Sequence, residues 1–258
     1  MRLCAIVPTY NNPRTIGEVV KRVREHVADI VVVDDGSTDA NRAVVQALAD
    51  AGACAVVMRA RNGGKGAAVQ DGLAWARAHG FEYALQIDAD LQHDARDIPA
   101  LIAAIDPARE TLVLAQPRFD ASAPASRLRA RKISVFWAAV ETLSRRVGDP
   151  LCGFRVYPVA AALRVHAHGK AMDFDPEIAV RLVWAGVKVV HVPTAVVYLS
   201  AADGGVSHYR GFTDTMLISL AYSRLCIEGL LRIVTWPVRA PVRAIIRRTR
   251  PDRTLADG

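Results

Sequence analysis

The sequence predicts an α/β protein with a mostly parallel central sheet and helices on both faces. Three observations carry that expectation. Short apolar runs without alternation recur between Leu3 and Ile87, as strands buried on both faces require. Segments with apolar residues at helical spacing separate those runs. A polar loop rich in Asp, Asn or Gly follows each run, and in open α/β sheets such loops gather beyond the carboxyl ends of the strands, where ligands bind.

Taken in order, Leu3 to Val7 reads as a strand, Pro8-Thr9-Tyr10-Asn11-Asn12-Pro13 as a turn, and Ile16 to Val27 as a helix. Ile30 to Val33 is the second strand; it runs into Asp34-Asp35-Gly36-Ser37-Thr38-Asp39, and Ala43 to Ala51 is the next amphipathic segment. Cys54 to Met58 is a third strand, Gly66 to His79 a helix behind a Gly-rich loop, and Tyr83 to Ile87 a fourth strand. Alternation of this kind implies parallel pairing with crossover helices. A helix near Ile98 to Ile105, a strand near Leu112 to Ala115 and a longer helix over Lys132 to Val147 continue the pattern. Val187 to Val192 and Ala195 to Leu199 are expected as late strands flanking Pro193.

The 258 residues, 52% hydrophobic and 23% charged, describe a globular chain. We expect a domain over residues 1–210 and an amphipathic, basic helical tail over 211–258. Much of the +7 formal charge sits late, with eight arginines from Arg224 onward against Glu228, Asp252 and Asp257. Cys4, Cys54, Cys152 and Cys226 are scattered without CxxC spacing, which suggests neither a disulfide framework nor a zinc site and fits a reducing cytosol. The start lacks the pattern of a signal peptide, and charges interrupt every apolar stretch before it reaches spanning length.

The most informative segment is Gln86-Ile87-Asp88-Ala89-Asp90-Leu91-Gln92-His93. It places two carboxylates one residue apart after a buried strand, on one side of the chain. Like charges held so close repel unless a cation lies between them, and Mg²⁺ or Mn²⁺ prefers carboxylate and phosphate oxygens. PTYNN offers an aromatic ring and amides suited to a base, or an ordinary turn. VVVDDGSTD sets two acids where ribose hydroxyls or base N–H groups would satisfy them; Ser37 or Asp39 alternatively caps the next helix. RNGGKGAA places glycines and Lys65 ahead of a helix N-terminus, an arrangement that suits phosphate, though it is not a P-loop.

In this order and spacing, PTYNN, VVVDDGSTD, NGGKGAAVQDG and DADLQH resemble family 2 glycosyltransferases with the Rossmann-like GT-A fold, especially the polyprenyl-phosphate sugar transferases typified by dolichol-phosphate mannose synthase. The likeness continues through Gln116-Pro117-Arg118, Arg131 with Ser134, Asp149 to Arg155 and Phe174 to Val192. It implies that Pro8, Tyr10, Val33 and Asp35 frame the nucleoside, with Thr9, Asn12 and Lys65 beside them. Asp88 and Ala89 would contact the donor, Asp90 and Gln92 would hold Mg²⁺ or Mn²⁺ next to Asp88, and Arg118 would meet donor phosphate, a catalytic role that stabilises the departing charge.

Two departures from the family pattern stand out. Asn12 replaces the acid that usually ends PTYNE, which leaves UDP- and GDP-sugars open as donors. Ala202 and His208 stand where the relatives carry an Arg and a Lys, so protonated His208 and Arg210 would have to replace part of the phosphate-binding set. The resemblance implies an inverting transfer to a membrane lipid, with polyprenyl phosphate as acceptor. Members associated with aryl-polyene lipids look similar around GGVSHYR and FDPEIAV, and a hydroxylated lipid acceptor would employ Asp149 as catalytic base. A noncatalytic nucleotide-sugar-binding scaffold is the rival of another class.

The tail supports the membrane expectation. Phe212 to Val234 is amphipathic and either packs on the domain or lies on a bilayer. Trp236 to Arg248 joins an aromatic to apolar residues and arginines, as anionic lipid surfaces favour. The expected place is therefore cytoplasmic, peripherally on the inner face of the cytoplasmic membrane. Nucleic acid is not an expected partner, because aromatic stacking residues are sparse in the tail.

Overall fold

A computed structural model describes residues 1–118, 125–196 and 211–234. One seven-stranded sheet runs through the molecule in the order β3-β2-β1-β4-β6-β5-β7. Its strands are β1 (Leu3–Thr9), β2 (Ile30–Asp34), β3 (Ala55–Met58), β4 (Tyr83–Gln86), β5 (Thr111–Arg118), β6 (Arg155–Pro158) and β7 (Lys188–Ala195). The first four pair in parallel, as do β5 and β7, while β6 runs antiparallel between β4 and β5.

The unbroken apolar strands have the physical cause expected of them. Successive side chains of β1 and β2 enter opposite cores: Cys4, Ile6, Val31 and Val33 join one, and Ala5, Val7, Ile30 and Val32 join the other. With no solvent face, alternation of polar and apolar residues has nothing to serve. Helices α1 (Ile16–Arg24), α2 (Asp39–Asp50) and α4 (Ile98–Ala103) cover the second core through Val19, Val20, Val23, Val45, Ile98 and Leu101. The first core is closed by α3 (Lys65–Ala78), α5 (Ala125–Thr142), α6 (Val159–Arg164), α7 (Phe174–Trp184) and α8 (Gly211–Val234).

Several expected elements take different bounds. The helix expected over Lys132 to Val147 is α5, which starts at Ala125 and stops at Thr142; Leu143 follows with a left-handed φ of 48°, which ends the helical path. The two late strands near Pro193 are one strand, β7, and Pro193 lies within it opposite Gln116. An edge strand tolerates a residue with no N–H, and β7 is at the sheet edge. Residues 197–199 of the second expected strand lie outside the described residues, as do His208, Ala202, Arg210 and the segment from Trp236 onward. Residues 155–164 and the helix α7 carry no predicted element, yet they supply the antiparallel strand and one wall of the site.

The expected amphipathic segment after Phe212 is α8, and its inner face is part of the core. Ile218, Tyr222 and Leu225 are buried there, and the Tyr222 hydroxyl donates to the Ser134 carbonyl at 3.1 Å. Glu177, fully buried on α7, accepts from Arg181 and Arg224, while Arg181 also pairs with Glu228 at 2.8 Å. The packing half of the earlier alternative is thereby met, and the outer face of the same helix is a separate matter.

Candidate active site

The parallel strands deliver their loops to one edge of the sheet. The turn after β1, the Asp34–Thr38 loop after β2, the Gly-rich loop after β3 and the Ile87–Asp94 turn after β4 all open there. Because β6 is antiparallel and Arg155 pairs with Gln86, the segment entering it, Asp149 to Phe154, comes to the same edge.

The first two loops are tied chiefly to each other. Asn12 is buried and its N–H donates to Asn41 at 2.9 Å; Asn41 in turn donates to Asp34 at 2.7 Å. Asn11, left-handed at a φ of 52°, accepts from the Thr38 N–H at 2.9 Å, and its own N–H donates to Ser37 at 3.0 Å. Ser37 is thus a tie between loops, and Thr38 takes the N-cap position of α2 without a side-chain cap bond. Pro8 and Val33 are register partners with buried side chains, so only backbone is available from them to a ligand. Thr9 is buried with its hydroxyl lacking a hydrogen-bond partner, and Tyr10 is half-buried beside it.

Asp35 organises the Gly-rich loop. Its carboxylate accepts from the Gly63 and Gly64 N–H groups at 2.9 and 2.8 Å and from Arg59 at 2.9 Å. Burial nevertheless holds its pKa above the ordinary value, against the pull of those donors. Gly64 has a φ of 95° and leaves no room for a side chain, since a Cβ there would lie 2.4 Å from the Lys170 carbonyl. Helix α3 therefore begins at Lys65, with its amino end facing the sheet edge.

Lys65 and the acidic turn form the centre of the site. The Lys65 Nζ lies 2.8 Å from Asp88 Oδ2 and 3.0 Å from Asp175 Oδ2. Burial alone would depress this ammonium, but the two carboxylates raise it well above its ordinary value. Burial likewise works against ionised Asp88, and Lys65 outweighs it, so Asp88 stays below the ordinary carboxylate range. Its other oxygen, Oδ1, is buried without a hydrogen-bond partner. Asp90 is pushed up to about 6 by burial first and by the Asp88 charge second. One Asp90 oxygen accepts the Gln92 N–H at 3.0 Å across Leu91, which holds a left-handed φ of 60°. The Thr15 hydroxyl fixes the Ala89 carbonyl at 2.5 Å.

These features fit a divalent cation. Among the described residues no group of three or more His, Cys, Asp and Glu side chains is arranged as a closed metal cage. Asp90, destabilised as an anion by burial and then by its neighbour, and Asp88 with an unpartnered buried oxygen would both gain from a cation, with Gln92 in the same turn. Mg²⁺ and Mn²⁺ commonly take only one or two carboxylates and complete their shell with phosphate oxygens and water.

The remaining expected residues are spread along the edge. Arg118 ends β5 and is exposed, with β6 between its strand and β4. Asp149 is ion-paired to Arg131 in the second turn of α5, and its other oxygen accepts the Leu151 N–H at 3.0 Å. Three participants were not singled out from sequence. Asp175 holds Lys65, and Arg155 is fully buried among the carbonyls of Pro150, Cys152 and Asp175. The third, His93, tilts against Phe154 at 5.2 Å and is pushed down to about 4 by burial, so its ring is neutral near pH 7. The Gln-x₀-His step after DAD and the FDPE run were the available signals; neither spacing reveals contact across the sheet.

Residues 4–168 match glycosyl transferase family 2. An undecaprenyl-phosphate mannosyltransferase of Micrococcus luteus is 28% identical over 218 residues, covering 80% of this chain and 88% of the relative. A polyprenol monophosphomannose synthase of Mycolicibacterium smegmatis is 27% identical over 261 residues, covering 95% and 92%. Among solved structures, glucosyl-3-phosphoglycerate synthase from Mycobacterium tuberculosis, in complex with Mn²⁺, uridine diphosphate and glucosyl-3-phosphoglycerate, superposes with a TM-score of 0.65. That likeness is one of fold, at 18% identity, with 87% of this chain and 80% of that one covered.

Proposed function

The chain belongs to glycosyl transferase family 2 and has the GT-A fold of that enzyme family, and from this premise we propose that it transfers a sugar, with inversion, from a nucleotide diphosphate sugar to a polyprenyl phosphate at a membrane surface. The observation that carries the reading is the Asp88–Asp90 turn, with Lys65 against one carboxylate and a buried carboxylate oxygen that has no hydrogen-bond partner, at the edge where the loops after β1 to β4 open. Relatives named for undecaprenyl and polyprenol phosphates support the acceptor class.

In this scheme the nucleotide lies across the β1 and β2 loops, with Thr9, Tyr10 and Asp35 at the nucleoside and Asn12 bracing their turn. Asp88 and the Ala89 backbone orient the donor. Asp90 and Gln92 would hold Mg²⁺ or Mn²⁺, which when bound supplies positive charge to the departing diphosphate. An acceptor phosphate oxygen forms the new bond to the anomeric carbon as the bond to the donor's β-phosphate oxygen breaks, and the electron pair leaves with the nucleoside diphosphate. Arg118 stabilises the charge on that leaving group.

The state of Asp149 favours phosphate over a hydroxyl as acceptor. A general base needs a carboxylate free to reach the acceptor proton, whereas Asp149 is held by Arg131 and by the Leu151 N–H. A phosphate arrives as an anion and needs no base. Arg131 then serves as a cation near the acceptor, with Asp149 holding it in place.

The membrane reading rests on two outer helices. Among the described residues no helix is long and apolar enough to cross a bilayer. On α8, however, Phe212, Met216, Leu220, Ile227, Leu230, Leu231 and Val234 form an exposed stripe, and α5 exposes Ile133, Phe136, Trp137 and Val140, with Leu143 exposed just beyond it. Arg129, Lys132, Arg145 and Arg146 are exposed on and just beyond α5, which suits an anionic lipid face.

The test is transfer of labelled sugar in vitro, with UDP- and GDP-sugars and either undecaprenyl phosphate or a hydroxylated lipid lacking phosphate. Product on undecaprenyl phosphate alone is expected. Product on the hydroxylated lipid alone would replace the acceptor assignment, and absence of any turnover would favour a noncatalytic binding role.

A further inference from the structure

Asp175 takes no part in the transfer scheme, yet it is buried against the donor site. The residue is 3% exposed, with Oδ2 3.0 Å from Lys65 Nζ. The other oxygen, Oδ1, has no hydrogen-bond partner and lies 3.8 Å from Arg155 Nη2. An acid in the first turn of a helix ordinarily needs no further cause, since it complements the helix dipole. That effect is available at the surface, and it does not account for burying the charge or for aiming it at a lysine far away in sequence. A buried carboxylate is retained where its partner matters.

The geometry around Lys65 supplies the purpose. A lysine stem is flexible, and a single partner on the Asp88 turn would let ammonium and turn move together. Asp175 is fixed to the scaffold: it lies in α7, and its carbonyl accepts from Arg155 Nη1 at 2.9 Å. Shared between the two carboxylates, Nζ is referenced to α7 and β6 as well as to the turn. Gly153 closes over the pair so tightly that an added Cβ would lie 2.3 Å from Nζ and 2.6 Å from Asp88 Oδ2. With Oδ2 held in this way, Asp88 Oδ1 is the oxygen left without a hydrogen-bond partner.

We propose that Asp175 is a positioning residue for glycosyl transfer, holding Lys65 and through it Asp88 in the orientation that receives the donor. This rests on the donor-site reading above. Groups that orient a liganding residue typically cost about 10–100-fold in affinity or activity when removed, and a kcat loss of about that size is expected here.

The experiment compares the full chain with Asp175→Asn, Lys65→Met and the double variant, using UDP-glucose and GDP-mannose with Mn²⁺ as probes. Asp175→Asn should lower kcat of the protein assayed well below its own melting temperature, where it is folded, and should add nothing in the Lys65→Met background. Losses that multiply in the double variant, or wild-type kcat in Asp175→Asn, would overturn the proposal. If Asp175→Asn does not fold, Asp175→Glu keeps the charge, displaces it by one methylene, and is expected to lower kcat in the same way. The ¹⁵N signal of the Lys65 ammonium provides a readout independent of donor. Slow proton exchange there in the wild type, lost in the variant, supports the clamp even if neither donor is accepted, a result that would count against the donor reading alone; an ammonium signal indifferent to Asp175 sinks the clamp.

Discussion

Glycine at position 153 shows how little room the donor site leaves. A methyl group there would have to displace the Lys65 ammonium or the Asp88 carboxylate. Gly153→Ala is therefore expected to fold, with a stability loss within the roughly 1–3 kcal/mol typical of overpacking, while donor turnover falls at least tenfold, about the scale of a lost orienting contact. Turnover near wild type, measured beside the melting temperature, would show that the roof over the pair is loose. Glu141 supplies a second residue-scale prediction, away from the site. It is buried on α5 near Cys226, with one oxygen unpartnered, and burial pushes its pKa up to about 8 from an ordinary 4.5. The folded protein then keeps a proton that the unfolded chain releases. The associated stability is full below pH 4.5, declines above it and is gone beyond about pH 8. Glu141→Gln should remove that decline, so the variant gains on the wild type by on the order of 2–4 kcal/mol between pH 5 and pH 8.5; parallel pH–stability curves for the two proteins would refute it.

At the scale of elements, α8 has two faces of different character. Its inner face packs against α5 and α7 through Ile218, Tyr222, Leu225 and the Glu177 ion-pair cluster, and its outer stripe is solvent-facing. Leu220→Ser with Ile227→Ser should leave the melting temperature within about 1 °C, since surface changes usually cost under about 0.5 kcal/mol. The same pair should reduce flotation with anionic phosphatidylglycerol vesicles severalfold. Unchanged flotation would remove α8 from the membrane reading. The elements also show what was legible in the chain. Strands β1 to β4, with their loops, were readable because each is local: a buried apolar run followed by turn chemistry. The DAD turn and the Gly-rich loop were legible for the same reason. Strand β6, helix α7 and the Lys65–Asp175 contact were not, because an antiparallel insertion and an ion pair across the sheet depend on tertiary placement that no periodicity encodes. Pro193 misled in the other direction. It reads as a strand breaker, and only its place on an edge strand lets one strand run through it.

At the scale of the whole molecule, the sheet gathers its loops at one edge while α5 and α8 present apolar stripes outward. Asp149, held by Arg131 on α5, links the two regions. The arrangement is compatible with the proposed transfer from a donor in water to an acceptor at a lipid surface. The claim beneath all of this is that the Asp88–Asp90 turn binds a nucleotide diphosphate sugar together with a divalent cation. Calorimetric titration with UDP- and GDP-sugars, with and without Mn²⁺, on the wild type and on Asp90→Ala, tests it most directly. Metal-dependent binding of one donor class that disappears in Asp90→Ala is the predicted result. Binding that ignores both the metal and the substitution, or no binding of any donor, would contradict it.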